Sequence, residues 1–418
     1  MRLDHHFWRR FAKTTWEKKS VTFNNVDSSL LEMDADHIFN SLVQYSDRAR
    51  KQKETSGLKF YVNGHRQLDK AVLKLLPRKS DRSLAGYHDR MAALFLDYCL
   101  VCDELLQFNH ATQKQLNEFT MGLYREVGLP NRFAEIGLYL GNYRKTPFGV
   151  HVDGCGVFSF PIVGAKRFRI WKPSYAAKHP SLERSFHYAK HKAASKTLDA
   201  KVGDMTYWPS SAWHIAESNG SFSATWSLGV WVDQTHLSDV TKIVSDVIAR
   251  HRHPLSMSGT TRFDGLNLAS GEVRSLPKAY LDSLETLRKL SPANMRAEFM
   301  KAWLMHTSKQ GLKPSPGNSR VSTDRKRAVI ALRDSNSHVR WIFSKDDRCY
   351  YYSYNGVLTE GSTSKKFLKL IRALNNGAMF SKEQATKIRS ALPAHDRMAL
   401  RMLSDAGAFR SEATSQPL

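Results

Sequence analysis

In FGVHVDGCGVFSFPIVGAKRFRIW, residues 148–171, His151 and Asp153 flank a single valine. On an extended strand this spacing puts an imidazole and a carboxylate on one face. The pair reads either as two legs of a metal site or as two polar residues on the wet face of a strand. Lys166 follows fifteen residues after His151, in a Gly-Ala-Lys-Arg turn.

A third ligand would have to come from a distant strand. GDMTYWPSSAWHIAE, residues 203–217, supplies His214, 63 residues after His151 and far enough for the chain to cross a barrel and return. Two histidines and one carboxylate leave three coordination positions open, as in iron sites that take a co-substrate and oxygen. A chelating 2-oxoglutarate would need a cation for its far carboxylate. Lys166 suits that role, although an ordinary basic strand end beside Arg167 and Arg169 reads the same way. The Tyr139 hydroxyl, on the preceding strand, could add a hydrogen bond.

The pattern H-x-D, then Lys in G-x-K-R-F, then G-D-x-x-Y-x-P-x-x-x-W-H resembles the JmjC-type cupin oxygenases, most of all the ribosomal oxygenase group and its bacterial relatives. TTWEKKSVTF at 14–23 is similar to the family's Trp-Glu/Gln-Lys-Lys-Pro lead-in, with Ser20 where proline is usual. Pro147-Phe148 stands where the family has Gly-Phe, and Gly154-Cys155-Gly156 where it often has an acidic or amide residue. The resemblance implies Fe(II) held by His151, Asp153 and His214, 2-oxoglutarate held by Lys166 and Tyr139, and O2 as oxidant, with no catalytic side chain beyond the metal centre. It further implies hydroxylation of a side chain in a protein or peptide, either a ribosomal protein or a precursor peptide. Phe148, Cys155, Ser159, Trp208 and Ser227 are the candidates for the substrate pocket.

Around these residues the expected fold is α+β, a double-stranded β-helix of the cupin/JmjC kind. Residues 27–127 read mostly as helices, including MAALFLDYCLVCDELLQF, where Cys99 and Cys102 would be buried helix cysteines. Short β-branched and aromatic segments fill 130–233, broken by Gly, Pro and Ser. The expected domains are an oxygenase domain at 1–235, a helical dimerisation region and linker at 236–325, and a winged-helix-like module at 326–418. In the module's KKFLKLIRALNNG, the Phe367, Leu368, Ile371 and Leu374 spacing is that of a core-facing helix. The His/Lys-rich stretch 175–201 reads as a solvated loop or a lid.

The 418 residues carry 63 Lys and Arg against 39 Asp and Glu, a net charge of +24 that favours an anionic partner without choosing one. The resemblance implies a homodimer and a protein or peptide substrate, ribosomal or, in keeping with the charge, acidic. Direct nucleic-acid binding is disfavoured, because no helix shows a row of Arg and Asn suited to base edges. Four cysteines do not suggest a disulfide framework. With no apolar leader and no membrane-length apolar run, a cytoplasmic protein is expected. His5-His6 and His251/His253 lack further ligands nearby and read as surface residues. The competing functions are hydroxylation of a free amino acid or other small molecule, and non-catalytic binding of nucleic acid or peptide.

Overall fold

The computed structural model describes residues 1–27, 35–103, 105, 110–234, 240–246, 266–267, 270, 272–273, 275–289, 292–312, 331–332, 338–345, 347–359 and 361–409. Most of the expected linker, and the His251/His253 pair, lie outside these residues. The chain divides into two units, Met1–Gln234 with Gln310–Pro316, and Thr235–Lys309 with Gly317–Leu418. The expected helical region and C-terminal module thus fall in one unit, while 310–316 return to the first.

The first unit is built on antiparallel strands β1 (Val21–Phe23), β2 (Leu58–Val62), β3 (His65–Arg66), β4 (Tyr98–Asp103), β5 (Ala134–Gly141), β6 (Cys155–Val163), β7 (Ala165–Trp171), β8 (Lys196–Lys201), β9 (Met205–Trp208), β10 (Trp213–Glu217) and β11 (Ser223–Trp231). One sheet runs β1-β9-β6-β11-β5-β4-β2-β3, and a second runs β10-β7-β8. Bridges Lys145–Glu217 and His151–His214 add the segment 145–151 to the free edge of β10. The two sheets face each other as a double-stranded β-helix.

Alternation along the strands separates an outer core from an inner cavity. Phe158 and Tyr207 point outward from β6 and β9 and meet the helix His5–Thr14, with Phe11 at 5.4 and 4.9 Å between ring centres. Trp8 of the same helix packs edge-on against Phe119, 4.9 Å away, from the helix His110–Val127. Each such buried aromatic contributes roughly 1.5–3 kcal/mol. Cys155 and Val157, two of the odd-numbered residues of β6, face the cavity instead. At the β6–β7 turn Gly164 has φ +71°, and a Cβ there would lie 2.6 Å from the Phe222 carbonyl oxygen. Glycine therefore makes the hairpin that returns Lys166 across the barrel.

The stretch expected as helix around Cys99 and Cys102 is β4, paired with β2 and β5. An apolar run buried on both faces has no periodicity to distinguish strand from helix, and β pairing wins here. Both cysteines are buried there, and β2 and β3 likewise replace expected helix. In the second unit, helices Lys278–Lys289 and Pro292–Ser308 precede a hairpin of Arg340–Ser344 and Cys349–Tyr354, followed by helices Lys365–Asn375, Lys382–Ala391 and Ala394–Asp405. Phe367, Leu368, Ile371 and Leu374 are buried, as their spacing predicts. Among the described residues no helix is long and apolar enough to cross a membrane.

Candidate metal centre

His151 and His214 are cross-strand neighbours. The His151 N–H donates to the His214 carbonyl at 3.0 Å, and the His214 N–H donates back at 2.8 Å. Directly opposed residues put their side chains on the same face, and the two ring centres lie 4.4 Å apart. Asp153 closes the group, with Oδ1 3.2 Å from His151 Nε2 and Oδ2 3.3 Å from His214 Nε2. One ligand atom from each residue falls within 4.8 Å of the others.

The tautomers follow from the backbone. Nδ1 of His151 is 2.9 Å from the Gly149 carbonyl oxygen, and Nδ1 of His214 is 3.1 Å from that of Ala212. A carbonyl only accepts, so Nδ1 carries a proton in both rings, and each Nε2 faces Asp153, where loss of its proton frees a lone pair for a metal. Burial works to raise the Asp153 carboxyl, but the facing imidazoles hold it well below the usual carboxylate range. Burial likewise works to lower the His151 imidazole, and the Asp153 carboxylate outweighs it and raises it. Two lone-pair nitrogens and one ionised carboxylate on the same side fit a divalent first-row metal with open positions.

These three residues line a cavity of about 760 Å³, solvent at its mouth included, between the two sheets. Lys166 lies on the same wall set and is only 3% exposed. Its Nζ donates to the Tyr143 hydroxyl, and no carboxylate pairs with it among the described residues. Burial pushes its ammonium down to about 7. A desolvated cation facing a cavity without an anion is costly unless an anion binds there. Two further polar groups of the cavity, Thr225 Oγ1 and Trp208 Nε1, are buried with no partner among the described residues.

The remaining expected residues fall as follows. Tyr139, Phe148, Cys155, Trp208 and Ser227 line the cavity, whereas Ser159 does not. Ser159 sits behind Ser227, donating to the Trp226 carbonyl at 3.2 Å and accepting from Ser227 Oγ at 3.3 Å. Although Ser159 is the cross-strand partner of Ser227, it is fully buried. The hydroxyl that meets Lys166 is that of Tyr143, a residue absent from the sequence-based candidates. Tyr143 follows the end of β5, where strand alternation no longer predicts a side chain's direction. The stretch 175–201 is bolted down: Arg184 N–H donates to the Val150 carbonyl at 2.8 Å, Val150 N–H to that of Ser185 at 3.1 Å, and Trp171 Nε1 to that of His191 at 2.8 Å. His191 is buried there and His187 is exposed.

The double-stranded β-helix with its His-x-Asp/His cluster resembles the JmjC-type cupins. Residues 110–237 match the JmjC domain family. The fold is shared over nearly the whole chain with two solved structures. One is of E. coli ycfD, at 15% identity and a TM-score of 0.50, covering 97% of this chain and 98% of that one. The other is of YcfD, a ribosomal oxygenase from Escherichia coli, in complex with cobalt and 2-oxoglutarate, at 14% identity, a TM-score of 0.50 and the same coverage. No curated protein matches the sequence.

Proposed function

We propose that the chain is an Fe(II)- and 2-oxoglutarate-dependent oxygenase that hydroxylates a side chain of a protein or peptide. The observation that carries this reading is the buried Lys166 ammonium, unpaired with any described carboxylate, facing the same cavity as the His151, Asp153 and His214 cluster. The relative solved with cobalt and 2-oxoglutarate supports the same pairing of metal and oxoacid.

Bound iron and 2-oxoglutarate would supply the oxidising chemistry, with O2 consumed and succinate and carbon dioxide left as by-products. The chain's own residues supply the geometry. His151, Asp153 and His214 would hold the metal on one face. Lys166, steadied by the Tyr143 hydroxyl, would take the far carboxylate, with Thr225 Oγ1 and Tyr139 in reach as lining groups. Val157, Phe168 and Trp208 line the cavity and would give a bound metal an apolar wall on their side.

The cavity also carries Asp103 and Glu135. Asp103 pairs with Lys59 at 2.9 Å, and Glu135 accepts from Trp231 Nε1 at 3.1 Å. Like charge at the walls disfavours an acidic side chain inside. The anionic partner suggested by +24 would therefore meet the outer surface, and a neutral or basic side chain would enter. A ribosomal protein is the first candidate substrate, in line with the ribosomal oxygenase relative. The proposal includes a homodimer through the helix Lys278–Lys289, which exposes Tyr280, Leu281 and Leu284 by 50–56%. It also includes a cytoplasmic setting, with which the four free cysteines agree.

The test is to incubate the protein with Fe(II), 2-oxoglutarate, O2 and ribosomal proteins, following succinate and one-oxygen mass gains. Succinate and a modified residue that both vanish in His151→Ala would support the reading. Turnover unchanged by that substitution would refute it.

A further inference from the structure

The lead-in segment contains a residue whose geometry the proposed chemistry has not yet used. Glu17 follows the helix His5–Thr14 in a left-handed conformation, φ +51°, uncommon for a residue with a side chain and held only where its surroundings demand it. Its carboxylate takes hydrogen bonds from neutral donors on β9 and on the turn that follows it. Ser210 N–H lies 3.2 and 3.1 Å from its two oxygens, and the Ser210 hydroxyl also donates to it. The Tyr207 hydroxyl donates to Oε1 at 2.9 Å and accepts from the Glu17 N–H at 2.9 Å. Gly156 lets the carboxylate come this close, since a Cβ there would lie 2.7 Å from Oε1.

The turn that Glu17 grips is Pro209–Ala212, closed by the Ala212 N–H on the Pro209 carbonyl at 3.0 Å. The carbonyl of that same Ala212 is the acceptor that fixes His214 Nδ1–H, at 3.1 Å. A continuous path thus runs from the Glu17 carboxylate through the Ser210 backbone and the turn to the imidazole whose Nε2 faces Asp153. His151 takes its orientation from Gly149 instead, outside this path. We infer that Glu17 is a positioning residue for the metal centre, setting the ring orientation of His214 from the far side of the larger sheet. The inference rests on His151, Asp153 and His214 binding a metal.

The test uses Co(II) as a spectroscopic probe in the full-length protein, with no turnover required. Wild type should show two exchangeable, paramagnetically shifted Nδ1–H signals, one per histidine, assigned through their contacts to neighbouring protons. In Glu17→Ala the His214 signal should move and exchange faster while the His151 signal stays. Co(II) affinity should fall about 10-fold, as for other partners of metal-bound histidines. Glu17→Gln, which keeps one acceptor oxygen, should fall between the two and serves if the alanine variant does not fold. Both signals unmoved with affinity within about twofold of wild type, or both moving together as in general loosening, would overturn the inference. Wild type binding no Co(II) at the cluster would refute the oxygenase reading itself, a result separable from the first two.

Discussion

At the scale of single residues, the pH dependence of co-substrate binding is the sharpest expectation. Burial lowers the Lys166 ammonium to about 7 in the free protein, and a carboxylate ligand favours the charged form. Below that value the group is already charged and binding takes up no proton. Above it each complex must take up one, so affinity for 2-oxoglutarate should be flat between about pH 6 and 7 and then fall by up to tenfold per unit. The groups facing Lys166 do not titrate in this window, because burial holds the Tyr143 phenol well above its usual range and raises the Cys99 thiol to about 12. Calorimetry across pH should show the fall in wild type and its absence in Lys166→Arg. Lys166→Ala should lose roughly 10- to 100-fold in affinity, the worth of a charge-assisted hydrogen bond. How much of this was legible depended on locality. The His151/Asp153 pair follows from strand alternation, and the pattern around His214 could be read as a returning strand. Tyr143 could not be found, since it lies just past a strand end, and Glu17 appeared only as part of a lead-in, its contact with Ser210 being 193 residues away in sequence.

At the scale of elements, a bound turn sets the His151 segment. Gly149 has φ +69°, and a Cβ there would lie 2.5 Å from the Arg184 carbonyl oxygen. Gly203 has φ +91° with open space around it. Both positions disfavour a side chain, but only Gly149 adds a backbone clash, and its carbonyl orients His151. Gly149→Ala should therefore cost about 1–3 kcal/mol beyond Gly203→Ala and weaken metal binding, while Gly203→Ala leaves metal binding unchanged. Thermal melts and metal titrations of the two variants check this. The barrel strands were legible because turns and β-branched residues punctuate them. β4 was not, since its unbroken apolar character is equally that of a buried helix.

At the scale of the whole molecule, the first unit is completed by a segment distant in sequence. Leu312 bridges Ala134 at the start of β5, and the Tyr124 hydroxyl donates to the Gly311 carbonyl at 3.2 Å. A fragment ending at residue 234 lacks this closure and should melt at a lower temperature than one in which 310–316 is rejoined by a short linker. Equal melting temperatures would show the segment to be dispensable. The interleaving was invisible in the sequence, where 309–327 has the composition of a linker. The proposed dimer makes a separate expectation: Leu281→Glu with Leu284→Glu should give monomers by gel filtration with light scattering. A wild type already monomeric would rule the dimer out.

The measurement that bears most directly on the metal centre is an anaerobic titration of the apoprotein with Fe(II) and 2-oxoglutarate, following the visible iron-to-keto-acid charge-transfer band. The band should saturate at one iron per chain, disappear in His214→Ala, and need far more 2-oxoglutarate in Lys166→Ala. A well-folded wild type that develops no band would contradict the account.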